Sequence, residues 1–315
     1  GRNYRSVSED TQKALLDLNA KKVDGLVVDL RGDPGGSLDE VAKMLALFIK
    51  KGPLVQIRDG NGAINVFNDN DGGAELYKGP MIVLVNLASA SASEIFSAAI
   101  QDYERGLVVG STTTGKGTAQ VQLDNLAYGQ ATLTQRKFYR ITGGSTQNKG
   151  VIPDIKLVDI YNDEFGERKA KNALKWDTIP TAPFKREGSV QPYIAKLTQS
   201  SEQRVKADSQ FNYLEARKLI AQKSSDQKKV ELDIAQRRAE LIDLEKQTLN
   251  AENQRRIATG QAPYANWESY QASIDALIES RAKMKAYARP ALPEEETFIT
   301  EAANVLIDYA KLQSH

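Results

Sequence analysis

The chain has 315 residues, 41% of them hydrophobic and 26% charged, with 42 basic against 41 acidic side chains. That length buries a sizeable core, most simply as two domains, and a net charge of +1 sets up no global field for nucleic acid or an anionic membrane. The absence of cysteine excludes disulfides, thiolate catalysis and cysteine-ligated metal, and a single histidine, His315, argues against a histidine-based zinc site.

No apolar run approaches the ~20 residues of a membrane span. Gly1, rather than Met, opens the chain on polar residues with no signal peptide, as a processed chain or a fragment would. The first 178 or so residues hold most of the glycines and alternate short apolar runs with helical patterns. A helix is expected over 8–21, then a buried strand in GLVVDL at 25–30. The following RGDPGGSLDE is a glycine-rich turn entering a helix over 37–50, with Ser37 and Glu40 as a capping pair. In an acyl-transfer site, Gly35 and Gly36 would present backbone N–H groups to an oxyanion with no side chain in the way; the bland alternative is an ordinary strand-to-helix turn. Strands are expected next in PLVQIR at 53–58 and MIVLV at 81–85.

MIVLV runs into SASASEIFSAAIQDY, whose Ile95, Phe96, Ala99 and Ile100 mark one face of a helix over 91–104. The serines therefore sit at a strand-to-helix turn, where helix N–H groups converge on an exposed side chain. Ser91 with Glu94 also reads as a capping box, and most serines before a helix are only caps. If Ser91 is instead a nucleophile, Ala92 supplies the adjacent oxyanion N–H. A strand in GLVVG at 106–110 follows. The helix climbs about 20 Å and a strand from 106 to 111 descends about 20 Å, so TTTGKG returns to the level of the serines and brings Lys116 within reach of Ser91. Lysine acts as a base near pH 7 only when burial lowers its usual pKa of about 10.4. An extended KGTAQ would put Lys116, Thr118 and Gln120 on one face, Gln120 orienting the amine without adding charge. The simpler alternative is a surface lysine in a glycine turn.

GSTTTGKG also opens like a phosphate-binding loop, but Gly117 stands where such a loop needs Ser or Thr for magnesium, and the sequence beyond alternates like a strand instead of starting a helix. ATLTQRKFYRI at 131–141 is expected as a half-exposed strand. Pro180, Pro183 and Pro192 mark a boundary, giving domains of 1–180 and 181–315. Beyond it glycine nearly vanishes, and Phe211, Leu214, Leu219, Val230, Ile234, Leu241 and Leu244 recur at helical spacing. Arg237 and Arg238 interrupt a heptad, which favours a helical bundle over a long coiled coil. Gly260–Pro263 separates two further helices, and Pro290 and Pro293 precede the last.

The blocks SASASEIFSAAIQDY, VVGSTTTGKGTAQ, VDGLVVDLRGDPGGSLDEVA, KFYRITGGSTQNKGVIPDI and NALKWDTI together resemble the core of the carboxyl-terminal processing proteases, and the helical second half resembles the tail-specific branch of that family in Gram-negative bacteria. The resemblance implies a crotonase-like β/α superhelix protease core followed by an all-α domain. It implies Ser91 as nucleophile, Lys116 as general base, Gln120 beside it, and Gly35, Gly36 and Ala92 at the oxyanion. Glu94, Thr113 and Asp102 also fall on the family motif, but Asp102 lies eleven residues past Ser91, about 16 Å along the helix, and is expected to be structural rather than a triad acid. Family members carry a PDZ domain that this sequence does not contain, as a fragment would not. The resemblance further implies a periplasmic serine endopeptidase acting on proteins with apolar C-terminal tails, with no metal or nucleotide. The alternative from another class is an inactive core whose helical half binds an adaptor or lipoprotein partner.

Overall fold

The computed structural model describes residues 5–68, 75–124, 126–160, 166–285, 289 and 292–313; Gly1, Pro290 and His315 lie outside them. The fold is a mixed α/β core followed by helices. Helix α1 (Val7–Ala20) starts at Ser6, whose hydroxyl accepts from the Glu9 N–H. Strand β1 (Leu26–Asp29) then leads to α2 (Leu38–Ala46), capped by Ser37 through the Glu40 N–H. Helix α2 stops four residues short of the expected 50, because Phe48 and Ile49 leave it to enter the core, fully buried.

Strands β4 (Met81–Val85) and β5 (Leu107–Gly110) flank α3 (Ala92–Asp102), and with β1 and the short β8 (Ile155–Lys156) they form a parallel sheet in the order β1-β4-β5-β8. MIVLV is apolar at every position because both faces of this sheet are covered. A second, antiparallel sheet runs β3-β2-β7-β6, from β2 (Pro53–Asp59), β3 (Ile64–Asn68), β6 (Thr118–Leu123) and β7 (Ala131–Tyr139). Strand β3 is an addition to the expected set: it pairs back on β2 through a tight turn at Gly62. Strand β7 is half-exposed, but along its length: Thr132–Arg136 are exposed and Lys137–Tyr139 buried.

Every residue of α3 from Ala92 to Ile100 is buried, so this helix is held from all sides. Phe96 meets Phe48 edge to face at 5.7 Å, in one apolar core with Leu54, Val55 and Phe138 of the second sheet. The N-terminus of α3 is thereby fixed in place, and Ser91 is its cap.

The chain divides into two compact units. One gathers both sheets with α1–α3, the other α5 (Ser209–Asp226), α6 (Ile234–Ala258) and α7 (Trp267–Ala282), while α4 (Gln191–Ala207) and α8 (Pro293–Gln313) each run through the division. In the second unit Phe211 and Leu214 are buried, Phe211 packing edge to face on Phe298 at 5.6 Å. Of the remaining expected stripe, Leu244 is half-buried and the rest is not covered. Leu219, Val230, Ile234 and Leu241 are exposed, and residues 227–233 form a non-helical connection between α5 and α6. Helical periodicity identifies a face that can be buried, and here no described residue covers its outer half. No described helix is long and apolar enough to cross a membrane.

Candidate active site

The three serines of SASAS separate by what their hydroxyls do. Ser89, fully buried, donates to the Leu30 carbonyl at 2.8 Å and accepts the Asn86 N–H at 3.0 Å. Ser93 donates to the Asp33 carboxylate at 2.7 Å. Both fasten the turn after β4 to the turn after β1. Ser91, between them, is half-buried and has φ 57 and ψ −111, where caps ordinarily adopt extended backbone. A non-glycine residue held at positive φ stores strain that the surroundings must impose.

One carboxylate imposes it. Glu94 is completely buried in the first turn of α3, and its Oε2 accepts the Ser91 N–H at 2.9 Å and the Lys116 N–H at 2.8 Å. Its Oε1 accepts the Gly115 N–H at 2.8 Å and the Thr113 hydroxyl at 2.5 Å. Burial pushes the Glu94 carboxyl up from the usual range, against the pull of Thr113, Gly115, Ser91 and Lys116. Thr113 is also fully buried and accepts the Val151 N–H at 2.8 Å. The lysine turn thus returns to the level of Ser91, as the helix-and-strand arithmetic requires, and is bound there through the main chain. The Lys116 side chain is half-buried, and its ammonium has no hydrogen bond or ion pair among the described residues.

Gly35 lies against this elbow. A Cβ there would come 2.6 Å from both the Ala90 carbonyl oxygen and the Ala92 nitrogen and 2.9 Å from the Ser91 Cβ, and the residue's φ is +89. Only glycine fits so close at that angle. Its own N–H donates to Asp33 Oδ1 at 3.0 Å, whereas the N–H groups of Gly36 and Ala92 make no hydrogen bond among the described residues. Of the three expected oxyanion donors, two are therefore free and one is committed. Beside them opens a cavity of about 210 Å³ whose walls include Leu30, Val41, Met44, Phe96 and Ala92.

One residue expected beside the base is not brought to it, and Asp102, expected to be structural, lies away from Ser91. Gln120 is exposed, and its amide donates to Thr134 Oγ1 at 3.4 Å across the sheet instead of meeting Lys116. The β6–β7 register shifts between Ala119 and Gln120, with the extra residue, Gln135, on β7, so that Gln120 stands opposite Thr134 and its amide is spent on that neighbour. Asp102 ends α3, far from Ser91, and pairs with Arg140 at 2.6 Å. The segment 145–150, which carries no catalytic signature of its own, packs on the lysine turn: Asn148 N–H donates to the Gly115 carbonyl and Gln147 Oε1 accepts the Gly117 N–H, both at 2.8 Å. Glycines on both sides of Lys116 signalled a close backbone approach; they could not say from which segment.

Residues 3–157 match peptidase family S41, and residues 160–311 match the C-terminal domain of tail specific protease. The chain is 40% identical over 250 residues to the tail-specific protease of Haemophilus influenzae, covering 75% of this chain and 36% of that protein. It is 37% identical over 150 residues to the carboxy-terminal-processing protease of Bartonella bacilliformis, covering 46% of this chain and 35% of that protein. The chain thus spans about a third of the length of these relatives. Among solved structures, the photosystem II D1 C-terminal processing protease is 32% identical over 48% of this chain and 39% of its own, with a TM-score of 0.44. The chain belongs to peptidase family S41, with a second half of the tail-specific protease type.

Proposed function

We propose that the chain carries the catalytic core of a serine endopeptidase in which Ser91 is the nucleophile and Lys116 the general base. The observation that carries this is the Glu94 carboxylate oxygen shared by the Ser91 and Lys116 N–H groups, which fixes both residues against one another while leaving their side chains uncommitted. Ser91 Oγ attacks the peptide carbonyl and passes its proton to the Lys116 amine. The Gly36 and Ala92 N–H groups receive the developing oxyanion. The protonated amine then supplies the proton to the leaving amine, and water hydrolyses the acyl-enzyme by the same route in reverse.

The apolar cavity beside Ala92 supports a substrate with an apolar side chain near the cleaved bond, and we propose protein substrates with apolar C-terminal tails, met in the periplasm. An adaptor or lipoprotein partner is proposed for the helical unit, where Leu219, Val230, Leu232 and Ile234 are exposed. The test is cleavage of a protein ending in an apolar tail by the chain and by its Ser91→Ala and Lys116→Ala variants. Cleavage lost in both, with the fold retained, supports the dyad; unchanged cleavage in either rejects it.

A further inference from the structure

The turn that carries Lys116 is held by more than Glu94. Gly115 receives the Asn148 N–H on its carbonyl at 2.8 Å, and Gly117 receives the Phe138 N–H on its carbonyl at 3.0 Å. The Gly115 and Lys116 N–H groups go to Glu94, which leaves the Gly117 N–H, and that goes to Gln147 Oε1 at 2.8 Å. Gln147 is 1% exposed, so this hydrogen bond is shielded from water. Its Nε2 in turn donates to Glu167 Oε2 at 3.1 Å. Glu167 and its neighbour reach the same turn from the other side, the Glu167 N–H donating to the Thr114 carbonyl at 3.2 Å and the Arg168 guanidinium to the Thr113 carbonyl at 3.3 Å.

The packing requires glycine on both sides of Lys116. A Cβ on Gly117 would lie 2.6 Å from the Gln147 nitrogen, and one on Gly115 would lie 3.0 Å from the Asn148 carbonyl carbon at a φ of +86. Loss of the Gln147 acceptor would strand a buried N–H, which the chain relieves by rotating the peptide that follows Lys116. That rotation swings the base away from Ser91.

We propose that Gln147, braced by Glu167, is a positioning residue for the reaction: it fixes the peptide after Lys116 and so aims the amine at Ser91. The inference rests on the Ser91–Lys116 reading above. In Gln147→Leu the acceptor goes while the bulk stays, and kcat on an apolar-tailed substrate is expected to fall about 10- to 100-fold with KM within about twofold, as befits a displaced catalytic group with an intact substrate surface. The double variant Gln147→Glu/Glu167→Gln exchanges amide and carboxylate, keeps an acceptor for Gly117 and a hydrogen bond between the pair, and is expected to regain most of the lost kcat. A merely structural role would lower the melting temperature in both variants and leave kcat per folded molecule unchanged. Wild-type kcat in Gln147→Leu, together with an inactive Lys116→Ala, overturns this inference and leaves the dyad standing; wild-type cleavage by Lys116→Ala overturns the dyad itself. Should Gln147→Leu fail to fold, the exchanged pair decides alone through Gln147→Glu: low kcat there, restored by adding Glu167→Gln, supports the brace, and no restoration rejects it.

Discussion

Glu94 and Lys116 are joined through the main chain, because the carboxylate oxygen that accepts the Lys116 N–H at 2.8 Å also accepts the Ser91 N–H at 2.9 Å. A carboxylate is suited to this place because it is acceptor-only and can take two donors on each oxygen, which an amide cannot. In Glu94→Gln the amide nitrogen points its hydrogens at N–H or O–H donors on one side, so the elbow and the lysine turn part. We expect kcat for peptide cleavage to fall about 100-fold while the far-ultraviolet circular dichroism is kept. Retention of wild-type kcat would show that the two segments stay aligned without the carboxylate.

The two glycines of the turn after β1 make an internal control. Gly35→Ala places a methyl group 2.6 Å from the main chain of the elbow at a φ of +89, whereas a Cβ on Gly36 would meet nothing within 4 Å. The first substitution strains the backbone by about 1–3 kcal/mol and pushes Ala92 out of position. Cleavage should therefore be lost in Gly35→Ala and kept within a few fold in Gly36→Ala, and thermal melts should show the same order. Equal effects at the two positions would mean that the elbow does not pack on Gly35 in solution.

Much of this was legible beforehand, for reasons that differ by residue. MIVLV and SASASE indicated the strand, the elbow and its helix, since a short β-branched apolar run bounded by turn residues reads as a buried strand and Ile95, Phe96, Ala99 and Ile100 recur at helical spacing. The return of Lys116 followed from the rise per residue alone. The partner of Gln120 did not, because its amide is taken by Thr134 across the sheet, and the β6–β7 register that sets them opposite depends on a bulge at Gln135 that strand alternation does not mark. The helical spacing of Leu219 and Leu241 does not say that they are covered, and both are exposed, because a stripe does not name the surface that packs on it. The Glu94 hub lies between these cases: its position three residues after Ser91 fitted a capping box, and that half is present, but its reach to Thr113, Gly115 and Lys116 depends on tertiary approach.

Asp102 shows how a motif residue can matter without chemistry. Its buried carboxylate takes the Arg140 guanidinium at 2.6 Å, and the same Arg140 donates to Gln101 Oε1 at 2.9 Å, so the C-terminal end of α3 is tied to the segment after β7. Asp102→Asn leaves a partly buried cation without its counter-charge and should cost about 3 kcal/mol of stability. Arg140→Gln introduced beside it removes the orphaned charge and should recover part of that loss. Denaturant midpoints of the two variants decide the matter: a double variant no more stable than Asp102→Asn would mean that the pair is not coupled as the geometry indicates.

Glu40 gives the pH dependence. The Ser6 hydroxyl above all, then the Ser8 N–H and hydroxyl and the Lys43 ammonium, outweigh burial and hold its carboxyl at about 2, well below the about 4.3 of an unfolded glutamate. A depressed folded-state value means that the ionised form stabilises the fold, so this contribution is complete above about pH 4.3 and is lost as pH falls toward 2. The bonds run from α2 to the N-terminus of α1, at 2.6 Å from the Ser6 hydroxyl and 3.1 Å from the Ser8 N–H, and they anchor the start of α1 beside the apolar cavity. Glu40→Gln should therefore melt below the parent chain at pH 7, with the gap narrowing steadily between about pH 4 and 2 as the parent loses the same charge. A gap that stays constant over that range would mean that Glu40 stabilises the fold through its shape and neutral hydrogen bonds instead of its charge.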